Sequence, residues 1–222
     1  MGKGLFVTGT GTDVGKTYVT ALMVKKLKDA GLSAGYYKAA ISGAGSIGES
    51  DAGYVKKVSG INQPDEMLVS YLYETAVSPH LAAKLEGNPV DLNKVREDYM
   101  QVLNAYDYVT VEGSGGIVCP IRCDDEQEIF LEDIIKMLKL PVVIAADAGL
   151  GTINSVVLTA EYLKNHGIEA VGVILNHYGG GVMQEDNARM IESITGLSVF
   201  ASVGEGDMEF DIEAKALISF YS

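Results

Sequence analysis

The chain has 222 residues, 47% of them hydrophobic and 21% charged, and its thirty acidic against seventeen basic residues leave a net charge of −13. That surplus repels a nucleic-acid backbone, and the densest basic stretch, Lys25-Lys26-Leu27-Lys28, reads as the solvated face of a helix, so nucleic acid is excluded as a partner. The two cysteines, Cys119 and Cys123, build neither a zinc site nor a disulfide framework, no apolar run approaches a membrane span, and Met1-Gly2-Lys3-Gly4 leads straight into a strand; the expectation is a cytoplasmic protein, one domain over residues 1–222, away from membranes.

The first predicted element is a strand through Leu5-Phe6-Val7. It runs into Gly9-Thr10-Gly11-Thr12-Asp13-Val14-Gly15-Lys16-Thr17, after which Tyr18-Val19, Leu22-Met23 and Leu27 recur at helical spacing as far as Gly31. Strand, glycine-rich loop and helix in this order are the context of a phosphate-binding loop. Small residues at Gly9, Gly11 and Gly15 let backbone N–H groups turn inward around a phosphate, and the helix starting near Gly15 adds its positive end. Lys16 supplies a point charge for terminal phosphates, and the Thr17 hydroxyl suits Mg²⁺. Counted back from Gly15, the first glycine of the G-x-x-x-x-G-K-[ST] pattern falls on Thr10, so the loop carries one extra residue after Gly9. A dinucleotide fold would end its second strand in Asp or Glu to hold a ribose. Here Gly35-Tyr36-Tyr37-Lys38 ends in lysine, which suits a more anionic substrate.

From Ala39 to Ser50 a glycine- and serine-rich loop follows that strand end, and Ser50 caps a helix opening at Asp51. Local pattern leaves Asp51 as either a helix-dipole partner or a metal ligand. Ser78 and Pro79 start another helix, and Asp91 caps one of about four turns to Ala105 with Val95, Tyr99, Val102 and Leu103 on one face. The strand Tyr108–Glu112 ends in an acid before Gly113-Ser114-Gly115-Gly116, the form of a second metal-binding element of an NTPase. Pro141–Ala146 is a further strand, leading through Asp147–Thr152 into a helix from about Ile153 to Asn165. A strand Val171–Asn176, a helix Gln184–Thr195, a short strand Ser198–Ala201 and a terminal helix near Ile212–Phe220 complete the chain. Strands alternate with helices, and the strands are continuous apolar runs. Both features indicate an α/β fold: a mostly parallel sheet with helices on both faces, and Lys38, Glu112, Asp147 and Asn176 sharing one edge with the phosphate loop.

In their order and spacing these motifs resemble those of the dethiobiotin synthetases, a family of the P-loop NTPase class. The carriers span the chain: GTGTDVGKT; Tyr37-Lys38-Ala39-Ala40-Ile41-Ser42-Gly43; Ser50-Asp51-Ala52; Ser78-Pro79-His80; Val111-Glu112-Gly113-Ser114-Gly115-Gly116; Gly149-Leu150-Gly151-Thr152-Ile153-Asn154; and Leu175-Asn176. The resemblance implies ring closure of diaminopelargonic acid with CO₂ and ATP, with Mg²⁺, to dethiobiotin. It implies Lys16 and Lys38 at the carbamate and terminal phosphate, and Thr17, Asp51 and Glu112 around Mg²⁺. Thr12 and Ser42 would meet the diamine, and the backbone from Asp13 through Val14, Gly15, Lys16 and Thr17 to Tyr18 would cradle phosphate, with Gly113, Ser114 and Gly115 beside the nucleotide. Gly151, Thr152, Ile153 and Asn154 would hold the substrate carboxylate of a neighbouring subunit in a homodimer. Asn176 and His177, with Gly204-Glu205-Gly206, would face the base.

Three positions depart from the family's habit: Gly11 stands where Asp is common, and Ala39 and Gly204 where proline is. A glycine at 204 predicts a looser base loop and a weakened purine preference. The alternative within this architecture is a switch-type ATPase of the partition and positioning class, which usually carries a second lysine early in the loop. This loop has only Lys16.

Overall fold

The computed structural model describes residues 2–222. In chain order the elements are β1 (Lys3–Gly9), α1 (Lys16–Asp29), β2 (Ala34–Ser42), α2 (Asp51–Ser59), β3 (Val69–Tyr73), α3 (Pro79–Leu85), α4 (Leu92–Ala105) and β4 (Tyr108–Glu112). They continue with β5 (Pro120–Cys123), β6 (Glu128–Phe130), α5 (Leu131–Leu138), β7 (Val142–Asp147), α6 (Thr152–Asn165), β8 (Ala170–Asn176), α7 (Val182–Thr195), β9 (Val199–Val203) and α8 (Ala214–Ile218).

Seven strands form one sheet in the order β3-β2-β4-β1-β7-β8-β9, and every pairing in it is parallel. Its central strands are buried on both faces, which is why they read as unbroken apolar runs. Leu5 and Val7 of β1 face a core built with α1, α2 and α8, and Phe6 faces the opposite core, built with α3 to α7. A parallel sheet needs such a cover on each side, because neither face can be left to water. β5 and β6 form a separate antiparallel hairpin.

The helix starts follow the capping residues. Asp91 accepts from the Asn93 N–H at 2.7 Å, and Val95, Tyr99, Val102 and Leu103 are the buried face of α4. Ser50 caps α2 by accepting from the Gly53 N–H at 3.4 Å. Ser78 stands at the N-cap of α3 with Pro79 next to it, but its side chain makes no capping bond.

Two expectations are corrected. Lys38 does not end β2; the strand continues to Ser42, because Ala39, Ala40 and Ile41 are buried and β3 pairs alongside from Lys38 onward. Lys38 is therefore a mid-strand residue, and the loop of glycines and serines starts at Gly43, four residues later than expected. The second correction is of omission: β3, the β5–β6 hairpin and α5 are absent from the pattern-based reading. The α5 start carries a signal, since the Asp133 carboxylate accepts from the Phe130 N–H at 2.8 Å.

Candidate nucleotide and substrate site

β1 lies at the middle of the sheet between β4 and β7, so the loop after Gly9 opens where ligands bind in such sheets, at the strands' C-terminal edge. The turn from that loop into α1 passes through Asp13 (φ +60°) and Gly15 (φ +84°), both left-handed. Gly15 is required twice over, because a Cβ there would lie 1.9 Å from Asn176 Nδ2 as well as in a strained conformation. At Gly9 a Cβ would meet the Lys16 side chain at 2.8 Å, so this glycine makes room for the lysine to fold back over the loop. Gly11, by contrast, faces open space and has no positive φ, so the geometry does not demand glycine there.

Five side chains converge beside this loop. Lys16 Nζ donates to the Gly11 carbonyl at 2.9 Å. Thr17 Oγ1 donates to Glu112 Oε1 at 2.7 Å. Lys38 Nζ donates to Asp51 Oδ2 at 2.5 Å and to Glu112 Oε1 at 2.8 Å. The pairing register sets Lys38 directly opposite Glu112, so two adjacent strands bring the cation and the acid together. Lys16, Lys38 and Glu112 are buried, at 7%, 4% and 1% exposure, whereas Asp51 is partly exposed.

Burial opposes charge on Lys38, but Glu112 and Asp51 outweigh it and hold the ammonium above its ordinary pKa. Lys16 goes the other way. Burial first, and the nearby Lys38 second, lower its pKa, so two cations are held close with a space for an anion beside them. Burial works to raise Asp51, yet Lys38 and the Thr17 hydroxyl hold its carboxyl below the ordinary 3.8.

Two neighbouring cavities share this wall. One, of about 590 Å³, is lined by Asp13, Gly15, Thr17, Tyr18, Asp51 and Glu112, with Thr12 and Lys38 at the boundary. The other, of about 460 Å³, takes Thr12 and Lys38 again and adds Ser42, Ser114 and Pro79. Ser42 Oγ donates to the Val77 carbonyl at 2.6 Å, and Ser114 Oγ to the Ala40 carbonyl at 2.8 Å, so each hydroxyl oxygen keeps its acceptor capacity. Gly115 lines both cavities; Gly113 is packed against Phe6 and Leu131, where a Cβ would collide.

The remaining predicted residues lie apart from the lysines. Asn176 is buried behind the loop: its Nδ2 donates to the Val14 carbonyl at 3.1 Å, and its Oδ1 has no partner. His177, at φ +54°, shares a 2.6 Å hydrogen bond with Asp147 Oδ2 and lines neither of the two cavities. Gly204, Glu205 and Gly206 also stand outside those cavities, on the loop after β9. At Gly204 the N–H donates to Asp207 Oδ2 at 2.7 Å, and the Tyr18 hydroxyl donates to the Asp207 carbonyl, so hydrogen bonds link this loop to α1. Gly151 (φ +92°), Thr152, Ile153 and Asn154 open α6, and Asn154 lines a separate cavity with Thr10, Val118 and Tyr162. Thr152 is buried with its hydroxyl unpartnered.

Sequence reasoning missed Tyr36, whose hydroxyl donates to Glu112 Oε2 at 3.1 Å, and Cys119, a buried thiol on the wall of the second cavity. The signal for Tyr36 was available, since it stands two residues before Lys38 on the same strand face. Burial pushes the Cys119 thiol up to about 11, which keeps it protonated.

A Lys-Thr phosphate loop after the central strand of a parallel sheet, facing an acid from the neighbouring strand, defines a P-loop NTPase. The fold agrees: the MinC:MinD cell division protein complex of Aquifex aeolicus has a similar structure, with a TM-score of 0.57 at 16% identity, covering 91% of this chain and 81% of that one. A family model described as an AAA domain matches residues 3–207. An ATP-dependent dethiobiotin synthetase BioD of Brachyspira hyodysenteriae is 51% identical over 212 residues, 95% of this chain and 96% of that protein. One of Clostridium botulinum is 46% identical over 226 residues, all of this chain and 99% of that protein. The chain belongs to the dethiobiotin synthetase family.

Proposed function

We propose that this protein is an ATP-dependent ligase that makes dethiobiotin, forming C–N bonds in ring closure of diaminopelargonic acid with CO₂. Family membership supports the overall reaction, and one observation carries the mechanism: Lys38, charged and buried between Asp51 and Glu112, beside Lys16, on the wall common to two cavities. One amine of the diamine adds to CO₂ and loses a proton to give a carbamate. A carbamate oxygen then attacks the terminal phosphorus of ATP, the bond to the bridging oxygen breaks, and ADP leaves. The second amine attacks the carbonyl carbon of this mixed anhydride, expels phosphate and loses a proton, closing the ring. The middle step drives two anions together, so cations must already stand where they meet. Lys38 and Lys16 supply them, and a lysine ammonium on a flexible stem follows the moving phosphoryl group.

The donor set fits Mg²⁺, since Thr17, Asp51 and Glu112 offer only hard oxygens. No three His, Cys, Asp or Glu side chains among the described residues could hold a metal by themselves, and Mg²⁺ at phosphate sites takes one or two carboxylates with the rest from phosphates and water. When bound with ATP it would neutralise phosphate charge. In this reading the loop from Asp13 to Tyr18 cradles the phosphates with Gly113, Ser114 and Gly115 alongside, and Thr12 and Ser42 meet the diamine. Asn176, His177 and Gly204 to Gly206 serve the base. The α6 turn, Gly151, Thr152, Ile153 and Asn154, belongs to a partner subunit's substrate site. Leu150 just before α6, Leu158 on α6, and Val182 and Met183 at the start of α7 are exposed apolar residues, surface that a homodimer would cover. No helix among the described residues is long and apolar enough to cross a membrane, in keeping with a cytoplasmic location.

ADP release is to be measured with diaminopelargonic acid and bicarbonate each omitted in turn. The reading requires release that needs both, yields dethiobiotin and is lost in Lys38→Ala. Hydrolysis indifferent to the diamine would instead favour a switch-type ATPase.

A further inference from the structure

Glu112 is gripped at both of its oxygens by residues of one strand. Lys38 donates to Oε1 at 2.8 Å and the Tyr36 hydroxyl donates to Oε2 at 3.1 Å. Residues two apart on a strand share a face, and the ladder sets Tyr36 opposite Thr110 and Lys38 opposite Glu112. Thr17 adds a second donor at Oε1, so Tyr36 is the protein group that holds Oε2. With Tyr36 fully buried and Glu112 1% exposed, the direction of the carboxylate is set by these bonds and not by water.

The strand is itself braced at this point. β3 pairs with β2 only from Lys38 onward, which leaves the Tyr36 N–H and C=O without a strand partner on that side. The Gln63 side chain takes that place. Its Oε1 accepts from the Tyr36 N–H at 2.9 Å, and its Nε2 donates to the Tyr36 carbonyl at 2.8 Å and to the Met67 carbonyl at 2.9 Å. Gln63 is 0% exposed, so one amide with all three bonds made extends the ladder by one residue, directly beneath the catalytic lysine.

We propose that Tyr36, clamped by Gln63, is a positioning residue that aims Glu112 at the cation and phosphates, an inference that rests on the reading of Glu112 as a metal ligand. Outer partners of a ligand carboxylate fix its rotation, and losing one weakens metal binding without altering the ligand. Lys38 and Thr17 both act on Oε1, so neither substitutes for the phenol at Oε2.

The test is Mn²⁺ binding to the full chain with a non-hydrolysable ATP analogue, followed by electron paramagnetic resonance, for the parent, Tyr36→Phe and Glu112→Gln. Tyr36→Phe keeps the ring in the core and removes only the hydroxyl. The expected result is an Mn²⁺ Kd raised about tenfold by Tyr36→Phe, with a larger rise in Glu112→Gln. A Kd within about threefold of the parent in Tyr36→Phe, while Glu112→Gln is weakened, overturns the positioning role and leaves Tyr36 a core residue. An unchanged Kd in Glu112→Gln overturns the metal reading itself. If Tyr36→Phe does not accumulate as folded protein, Gln63→Met, which keeps the phenol and removes its brace, is read on the same scale.

Discussion

Lys38 is a cation taken out of water between two acids, and each of the three depends on the others. Lys38→Ala leaves Glu112 buried with Thr17 and Tyr36 as its remaining donors and, in the proposed mechanism, removes a cation from the meeting point of two anions. Turnover should fall by about 10²-fold or more, the scale set by losing one preorganised charge donor, as read from single-turnover ADP release. Asp51 predicts a pH dependence. Its folded-state carboxyl lies below the ordinary 3.8, so its contribution to stability is fully present above that value and is lost as pH falls through the depressed one. Thermal unfolding of the parent and Asp51→Asn should therefore differ at pH 7, and the gap should close as pH falls below the ordinary 3.8 and through the depressed value. A gap that stays constant across this window would show that the ion pair with Lys38 does not set the Asp51 titration.

At the scale of elements, the phosphate loop and β8 are fitted to one another. Gly15→Ala adds a methyl carbon where Asn176 Nδ2 already sits, on a residue at φ +84°. The variant should bind ATP analogues at least about tenfold more weakly by calorimetry, since the left-handed strain alone is on the order of 1–2 kcal/mol. Gly11→Ala meets nothing and should bind as the parent does, which makes the pair a control on the loop geometry. The elements also show how far local pattern reaches. The α4 cap at Asp91 and its four buried positions were legible, because capping and helical periodicity act within a few residues. The end of β2 was not. Composition changes at Gly43, yet Lys38 in the middle of the run looks like a stop until β3 is known to pair beside it. β3 itself, VSYLY, is an edge strand with partly exposed positions and lacks the continuous apolar signature of its neighbours.

Over the whole molecule, two cores sandwich the sheet, and the site is built from the loops and strand ends of β1, β2 and β4. Leu22 on α1 is fully buried in the core beneath the phosphate loop. Leu22→Ala should cost about 2–5 kcal/mol of stability, measured by denaturant unfolding, because the space it leaves is walled by packed strands. The exposed apolar residues of α6 and α7 make a prediction about assembly. Leu158→Asp, at a residue 63% exposed, should shift the protein to a monomer in sedimentation equilibrium if that face joins two copies. An unchanged mass would remove the support for placing Gly151 to Asn154 at a partner's site.

Alone, the sequence determined what depends on neighbours along the chain: a strand, a glycine-rich turn and a helix carrying Lys16 and Thr17, a parallel α/β architecture, and a set of polar residues destined for one sheet edge. Phosphate binding needs only successive N–H groups and one helix end, so it can be read from a dozen residues. What the tertiary structure decided is which of those polar residues meet. Strand order places β4 between β2 and β1, and register then sets Lys38 against Glu112 across residues 74 apart. Because β3 pairs with β2 only from Lys38 onward, Tyr36 has no strand partner on that side, Gln63 fills the place, and the phenol turns onto Glu112. Pairing between distant segments has no trace in local periodicity, because each strand buries equally well beside several others until the whole sheet is assembled.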